Sequence, residues 1–313
     1  MSESKPIVFM YSGQGSQYYN MGRVLFEQEP VFRDWMLRLD QAASALIGES
    51  LLEKLYDGKR KITEVFDRTL FTHPAIYMVE IAMTQLLLAN DIHPDYVMGE
   101  SLGEFAAATT AGITDWETGL EMVIQQARTI EACCVEGGML AVLGDISLYT
   151  DSIYLRERCE LASVLHNSHF VLTGGKDAIG EIAEWLSRKQ IMKEPLPVSH
   201  AFHSTLLHAA EDSVQRNYSQ KKVPSGNRTV NIGNQRRHAA GTALRVFMAS
   251  GPAADQACPE LRDSGRQRPG SLSRSWAPAV WPIWPSEVCV KAHDRRAGRL
   301  CRASNKTLQT GKY

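Results

Sequence analysis

The chain has 313 residues, 44% hydrophobic and 22% charged, with a formal net charge of −1 at pH 7. That is long enough to bury a sizeable core and fits a soluble enzyme, and no apolar run approaches the roughly 18 residues that a membrane span requires. Six cysteines show neither Cys-x-x-Cys spacing nor a secreted framework, and the start, Met-Ser-Glu-Ser-Lys-Pro, lacks a basic segment followed by an apolar one. The expectation is a reduced, cytoplasmic setting with no metal site and no signal peptide.

In chain order, Ile7-Val8-Phe9-Met10 reads as a buried strand that empties into Ser12-Gly13-Gln14-Gly15-Ser16-Gln17. A glutamine between two glycines brings its backbone N–H close to whatever binds there. A second apolar run, Tyr96-Val97-Met98, precedes Gly99-Glu100-Ser101-Leu102-Gly103-Glu104, and the alanine-rich Phe105–Ala108 follows. Strand, sharp glycine turn and helix form the context in which Gly-x-Ser-x-Gly pushes a serine hydroxyl out at the head of a helix, where backbone N–H groups meet a developing oxyanion. Ser101 is the candidate nucleophile.

Residues 137–198 alternate as an apolar run (Met139–Leu143), a polar helical stretch (Ser147–Arg158) and two further runs (Leu161–Leu165 and Phe170–Thr173). A helix over Asp177–Lys189, with Ile179, Ile182, Ala183 and Leu186 on one face, leads to a last extended stretch ending at Val198. The order β-α-β-β-α-β is that of a ferredoxin-like unit. The expected fold is therefore α/β: an α/β-hydrolase-like core (1–136 and 199–218) with an inserted ferredoxin-like small subdomain (137–198) and the site at the carboxyl ends of the core strands.

After the subdomain, Ser199-His200-Ala201-Phe202-His203-Ser204 offers two imidazoles, and a serine needs such a base within hydrogen-bond reach. Beyond Tyr218 the character changes. Residues 1–218 carry 17 Lys+Arg against 30 Asp+Glu, a balance of −13, whereas 219–313 carry 17 against 5, a balance of +12. This Arg- and Pro-rich tail shows no helical or strand periodicity. Its aromatic residues are rarely interleaved with basic ones and it holds no RNA- or DNA-binding motif, so nucleic acid is not the expected partner.

Taken together, these motifs resemble the malonyl-CoA:acyl-carrier-protein transacylase family, including the stand-alone acyltransferase homologues of bacterial polyketide clusters. Gly13 to Gln17 reproduces the family's Gly-Gln-Gly-Ser-Gln. The elbow matches its Gly-His-Ser-Leu-Gly-Glu except that Glu100 replaces the first histidine. The Ser-His-Ala-Phe-His-Ser segment maps the base to His203 rather than His200, and Asn167 ahead of Phe170–Gly174 also matches. What the resemblance implies is a covalent Ser101–His203 mechanism with an oxyanion site at the Gln14 and Leu102 N–H groups. It implies no metal or bound organic cofactor; coenzyme A or phosphopantetheine enters as the carrier of the acyl thioester, and an acyl carrier protein is the partner.

One departure bears on the substrate. Malonyl-transferring members use an arginine on the helix after the elbow to pair with the malonyl carboxylate, and Gln126 stands at that position here. A glutamine amide is neither charged nor forked, and Arg128, two residues on, is turned about 200° around the helix. Without that cation the chain resembles the acyl hydrolases that clear stalled acyl groups, such as acetyl, from carrier proteins. Three outcomes stay open: that hydrolysis, acyl transfer from coenzyme A to a carrier protein, or an inactive product of a gene whose frame changed near codon 218, where the resemblance ends.

Overall fold

The computed structural model describes residues 6–166, 168–210, 213–214, 229–232, 235–238 and 289–290. Strand β1 (Val8–Tyr11) pairs in parallel with β2 (Tyr96–Gly99), with Val8 opposite Tyr96 and Tyr11 opposite Gly99. A parallel pair needs a long crossover. Here it is α1 (Arg23–Gln28), α2 (Pro30–Ile47), α3 (Leu51–Leu55) and α4 (Thr69–Ala89). Helix α2 starts on a proline and ends on Gly48 at φ 91°, the left-handed stop that glycine adopts without strain. Its Phe32, Met36, Leu39 and Ala43 fall on one buried face. Helix α4 is different: it is buried on nearly all sides from Thr69 to Leu87, and Glu80 is its one carboxylate.

After β2 come α5 (Gly103–Thr110) and α6 (Trp116–Cys133), the latter capped by Asp115, whose carboxylate accepts the Thr118 N–H at 2.6 Å. Helix α6 packs on α2, α4 and α5. The chain then leaves the core for β3 (Gly137–Leu143), the short helices α7 (Ser147–Thr150) and α8 (Ile153–Arg156), β4 (Glu160–His166), β5 (His169–Gly175), α9 (Lys176–Arg188) and β6 (Met192–Pro195). These strands form one antiparallel sheet in the order β4-β5-β3-β6.

Alternation along that sheet explains its two faces. Leu140, Val142, Phe170 and Leu172 pack with Ile179, Ile182 and Leu186 of α9. Burying those three α9 side chains contributes about 1.5–3 kcal/mol each. Met139, Ala141 and Val171 point the other way, into the main core. The one helix expected over Ser147–Arg158 is instead two, because Ser152 adopts an extended conformation (φ −92°, ψ 105°) and accepts the Leu155 N–H as the cap of α8. Gly180, inside α9, has open space where a Cβ would stand. Gly180→Ala should therefore raise stability by about 0.5–1 kcal/mol, read as a higher denaturation midpoint.

In the tail, β7 (Thr229–Ile232) and β8 (Gln235–His238) form a hairpin, and β9 (Cys289–Val290) lies antiparallel to β1. The sequence pattern did not indicate these strands. The rest of 219–313, the Arg- and Pro-rich tail in which no helical or strand periodicity was read, lies outside the described residues, as does Asn167. Among the described residues no helix is long and apolar enough to cross a membrane.

Candidate active site

The parallel register sets Ser12, just past β1, beside Glu100, just past β2, at the carboxyl edge of the pair. The Glu100 N–H donates to the Tyr11 carbonyl at 2.9 Å, which ties the elbow to the first loop. Ser101 takes φ 53°, a left-handed strain expected of a nucleophile on a sharp turn. The flanking glycines are required by contact rather than by their own dihedrals. A Cβ on Gly99 would strike the backbone of Gly103 and Glu104, and one on Gly103 would strike the carbonyls of Tyr11 and Ser12. Gly103→Ala should accordingly cost about 1–3 kcal/mol in overpacking and separate β1 from the elbow, read as a lowered Tm together with loss of any serine reactivity.

Ser101 Oγ lies 2.9 Å from His203 Nε2, and the two residues are 102 positions apart. His203 also has a left-handed backbone, φ 59°. Its loop is pinned on both sides. Ser204 Oγ donates to the Ala201 carbonyl at 2.6 Å, and the Glu160 carboxylate, from β4, accepts both the N–H (3.0 Å) and the hydroxyl (2.6 Å) of Thr205. His200 is placed differently. It is buried, with Nδ1 3.0 Å from Thr69 Oγ1 and 3.1 Å from Ser199 Oγ, and burial lowers its pKa. One imidazole meets the serine and the other is buried against Thr69 and Ser199.

The cleft over the pair, about 560 Å³, includes Ser101, His203, Gln14 and Glu100 in its lining. Met139, Ala141, Ala162, Val171, Leu196 and Phe202 supply an apolar wall; no Lys or Arg is among the lining residues described. The Gln14 side-chain amide donates to Thr72 Oγ1 at 2.9 Å. Among the described residues neither the Gln14 nor the Leu102 backbone N–H donates to a protein acceptor. Leu102 opens α5 with its side chain buried. Gln126, on α6, is half-buried with an unpaired Oε1 and is not part of the cleft lining. The Arg128 guanidinium donates to the Leu46 carbonyl at the end of α2, so it is turned to a different neighbour.

Sequence reasoning overlooked a set of buried polar groups beneath the loops. Glu80, 1% exposed, accepts the Ser12 N–H through Oε1 at 2.8 Å, and burial pushes its pKa up to about 8. Glu104, in the first turn of α5, is pushed up to about 7, also by burial. His73 is fully enclosed with both ring nitrogens unpaired, and burial drives its pKa down to about 3. The available signal was a lone carboxylate in a helix that holds no other acidic residue and no Lys or Arg.

A family model described as "Acyl transferase domain" matches residues 8–235. The polyketide biosynthesis acyltransferase homolog BaeD of Bacillus velezensis is 47% identical over 220 residues, covering 70% of this chain and 68% of that protein. The polyketide biosynthesis acyltransferase homolog PksD of Bacillus subtilis is 46% identical over 210 residues, covering 67% of this chain and 65% of that protein. The chain thus spans about two thirds of the length of these relatives. Among solved structures, the acyltransferase domain from the second module of the salinomycin polyketide synthase is 30% identical at a TM-score of 0.63, covering 79% of this chain and 57% of that one. The malonyl CoA-acyl carrier protein transacylase of Coxiella burnetii shares the fold, with a TM-score of 0.64 at 22% identity over 80% of each chain.

Proposed function

This chain belongs to the acyl transferase domain family, and we propose that it is a polyketide-pathway enzyme that hydrolyses stalled, uncharged acyl groups from acyl carrier proteins. Ser101 Oγ attacks the thioester carbonyl while His203 Nε2 takes its proton. The oxyanion is received by the Gln14 and Leu102 N–H groups, and the phosphopantetheine thiol departs with the proton from His203. Water then attacks the acyl-serine with His203 again as base, releasing the carboxylic acid and restoring Ser101. The cycle calls for no resident metal or organic cofactor; coenzyme A or phosphopantetheine is only the carrier. Residues 137–198 are read as an inserted ferredoxin-like subdomain, supported by the βαββαβ order and the antiparallel β4-β5-β3-β6 sheet. A cytoplasmic site of action goes with this reading.

The observation that carries the proposal is the lining of the cleft: an apolar wall, two carboxylates, Glu100 and Glu194, and no described cation. A malonyl carboxylate there lacks a counter-charge, which costs several kcal/mol. Transfer from coenzyme A to a carrier protein is the second reading, favoured by the acyltransferase names of the relatives; it differs in the acceptor that meets the acyl-serine. The test is to incubate the chain with acetyl- and malonyl-loaded carrier proteins and follow both the Ser101 adduct and free acid by mass spectrometry. Faster release of acetate than malonate supports hydrolysis. Faster loading of malonyl from coenzyme A onto a carrier favours transfer, and no adduct from any donor points to an inactive chain.

A further inference from the structure

The loop that carries Gln14 needs a support, because its Gly-Gln-Gly sequence has little stiffness of its own. Two contacts fix it. On the outer side, a Cβ on Gly13 would stand 2.9 Å from the Glu100 carbonyl and 3.2 Å from Ser101 Cβ, so the loop lies flat on the elbow. On the inner side, Ser12 meets α4. Glu80 Oε1 accepts the Ser12 N–H at 2.8 Å and lies 3.2 Å from Ser12 Oγ, while Ser16 Oγ donates to the Gly13 carbonyl at 2.7 Å. Glu80 touches no residue of the Ser101–His203 pair in these contacts and has no part in the chemistry above.

We propose that Glu80 is a positioning residue that holds the Ser12–Gln14 backbone against the elbow through the Ser12 N–H, and so aims the Gln14 N–H at the oxyanion. The inference rests on the acyl-serine reading of this site. A carboxyl without a cation, set inside an apolar helix, is retained at a cost in desolvation that a purely structural acceptor does not require. Its neutral form is the one that suits this position. An anion behind the loop would oppose a developing negative charge on the other side, whereas a neutral acid holds the same N–H without that repulsion.

The titratable groups that sense Glu80 are the phenols of Tyr11 on β1 and Tyr77 on α4, both pushed well above their ordinary range by burial. Helices α2, α3, α5 and α6 pack on α4. Among the described residues none brings a cation into Glu80's balance, which is set by burial against the Ser12 bonds, and Glu104 is the other buried carboxyl, on α5. With burial dominant, Glu80 is half-ionised near pH 8 and mostly neutral below about pH 7.

The experiment follows acylation of Ser101 by an acetyl-phosphopantetheine thioester from pH 6 to 9 in the wild type, Glu80→Gln and Glu80→Leu. Gln keeps the acceptor without the ionisation: it should match the wild type at pH 6.5 and lack the decline above about pH 8. Leu removes the acceptor and should lower kcat by about tenfold to a hundredfold with KM little changed. An alkaline decline in Glu80→Gln equal to that of the wild type, or a Glu80→Leu protein with wild-type kcat, overturns the proposal. If Glu80→Leu does not fold, the Gln profile decides.

Stability gives an arm independent of turnover. With its pKa raised in the folded state, the contribution of Glu80 is fully present below the ordinary carboxyl range and lost as pH rises through about 8. The Tm advantage of Glu80→Gln over the wild type should therefore grow from pH 5 to 9, and a constant difference overturns the neutral state invoked here. A wild type that forms no Ser101 adduct at any pH overturns the acyl-serine reading, whereas an adduct with an indifferent Glu80→Leu overturns the role of Glu80 alone.

Discussion

Ser101→Ala should abolish the acyl adduct and lower turnover at least about a thousandfold, because Ser101 Oγ is the hydroxyl that lies 2.9 Å from His203 Nε2 at the elbow. His203→Ala should produce a loss of the same order, and combining the two should add little if nucleophile and base act as a unit, as proposed above. His200→Ala is the contrasting variant. Its ring bonds to Thr69 and Ser199 and packs edge-on to Phe202 at 6.3 Å, so its removal empties a buried position rather than removing a base. The expected result is a fall in Tm with activity per folded molecule retained to within about tenfold, each lost hydrogen bond costing about 1 kcal/mol. Burst kinetics with a chromogenic acetyl ester, alongside thermal melts, separates the three variants. Equal loss of activity in His200→Ala and His203→Ala would show that the base has been misassigned.

Gln126→Arg should swing the acyl preference toward malonyl by about tenfold or more, the worth of one charge-assisted guanidinium–carboxylate pair at roughly 1.5–3 kcal/mol. Gln126 Oε1 is already buried and unpaired, so the position is desolvated before any substitution is made. An arginine there is longer than glutamine and carries a charge into that desolvated position. Without a ligand the new cation is poorly paired, and the variant should melt below the wild type. Malonyl-coenzyme A should restore part of that loss and acetyl-coenzyme A should not. The ratio of kcat/KM for the two thioesters is the deciding number; an unchanged ratio shows that position 126 does not meet the acyl group.

What the sequence made legible is local. Gly99–Gly103 and Gly13–Gln17 announce their geometry because each demands backbone approach within a few residues, and the structure places both at the carboxyl edge of β1 and β2. The βαββαβ order was readable from the alternation of apolar runs, for the same reason. The choice of His203 over His200 came from the resemblance, not from any local pattern; in the structure one ring lies against Ser101 and the other against Thr69. The break at Ser152 was missed because a serine cap and a solvated helical serine look alike in a polar stretch. Glu80 and the Glu160–Thr205 tie were missed for a deeper reason: each depends on a partner 68 or 45 residues away, and no local pattern encodes such a pairing.

The separation of Ser101 and His203 also sets when competence arises during folding. Their contact closes 102 residues, with the whole β3–β6 excursion inside the closed segment. Such closure is entropically expensive and comes after the local hairpins and helices have formed. Both residues are also held at positive φ, a conformation that a loose chain abandons. The Ser101–His203 contact is thus a property of the finished topology: no segment of the chain shorter than the one between them brings the two side chains together.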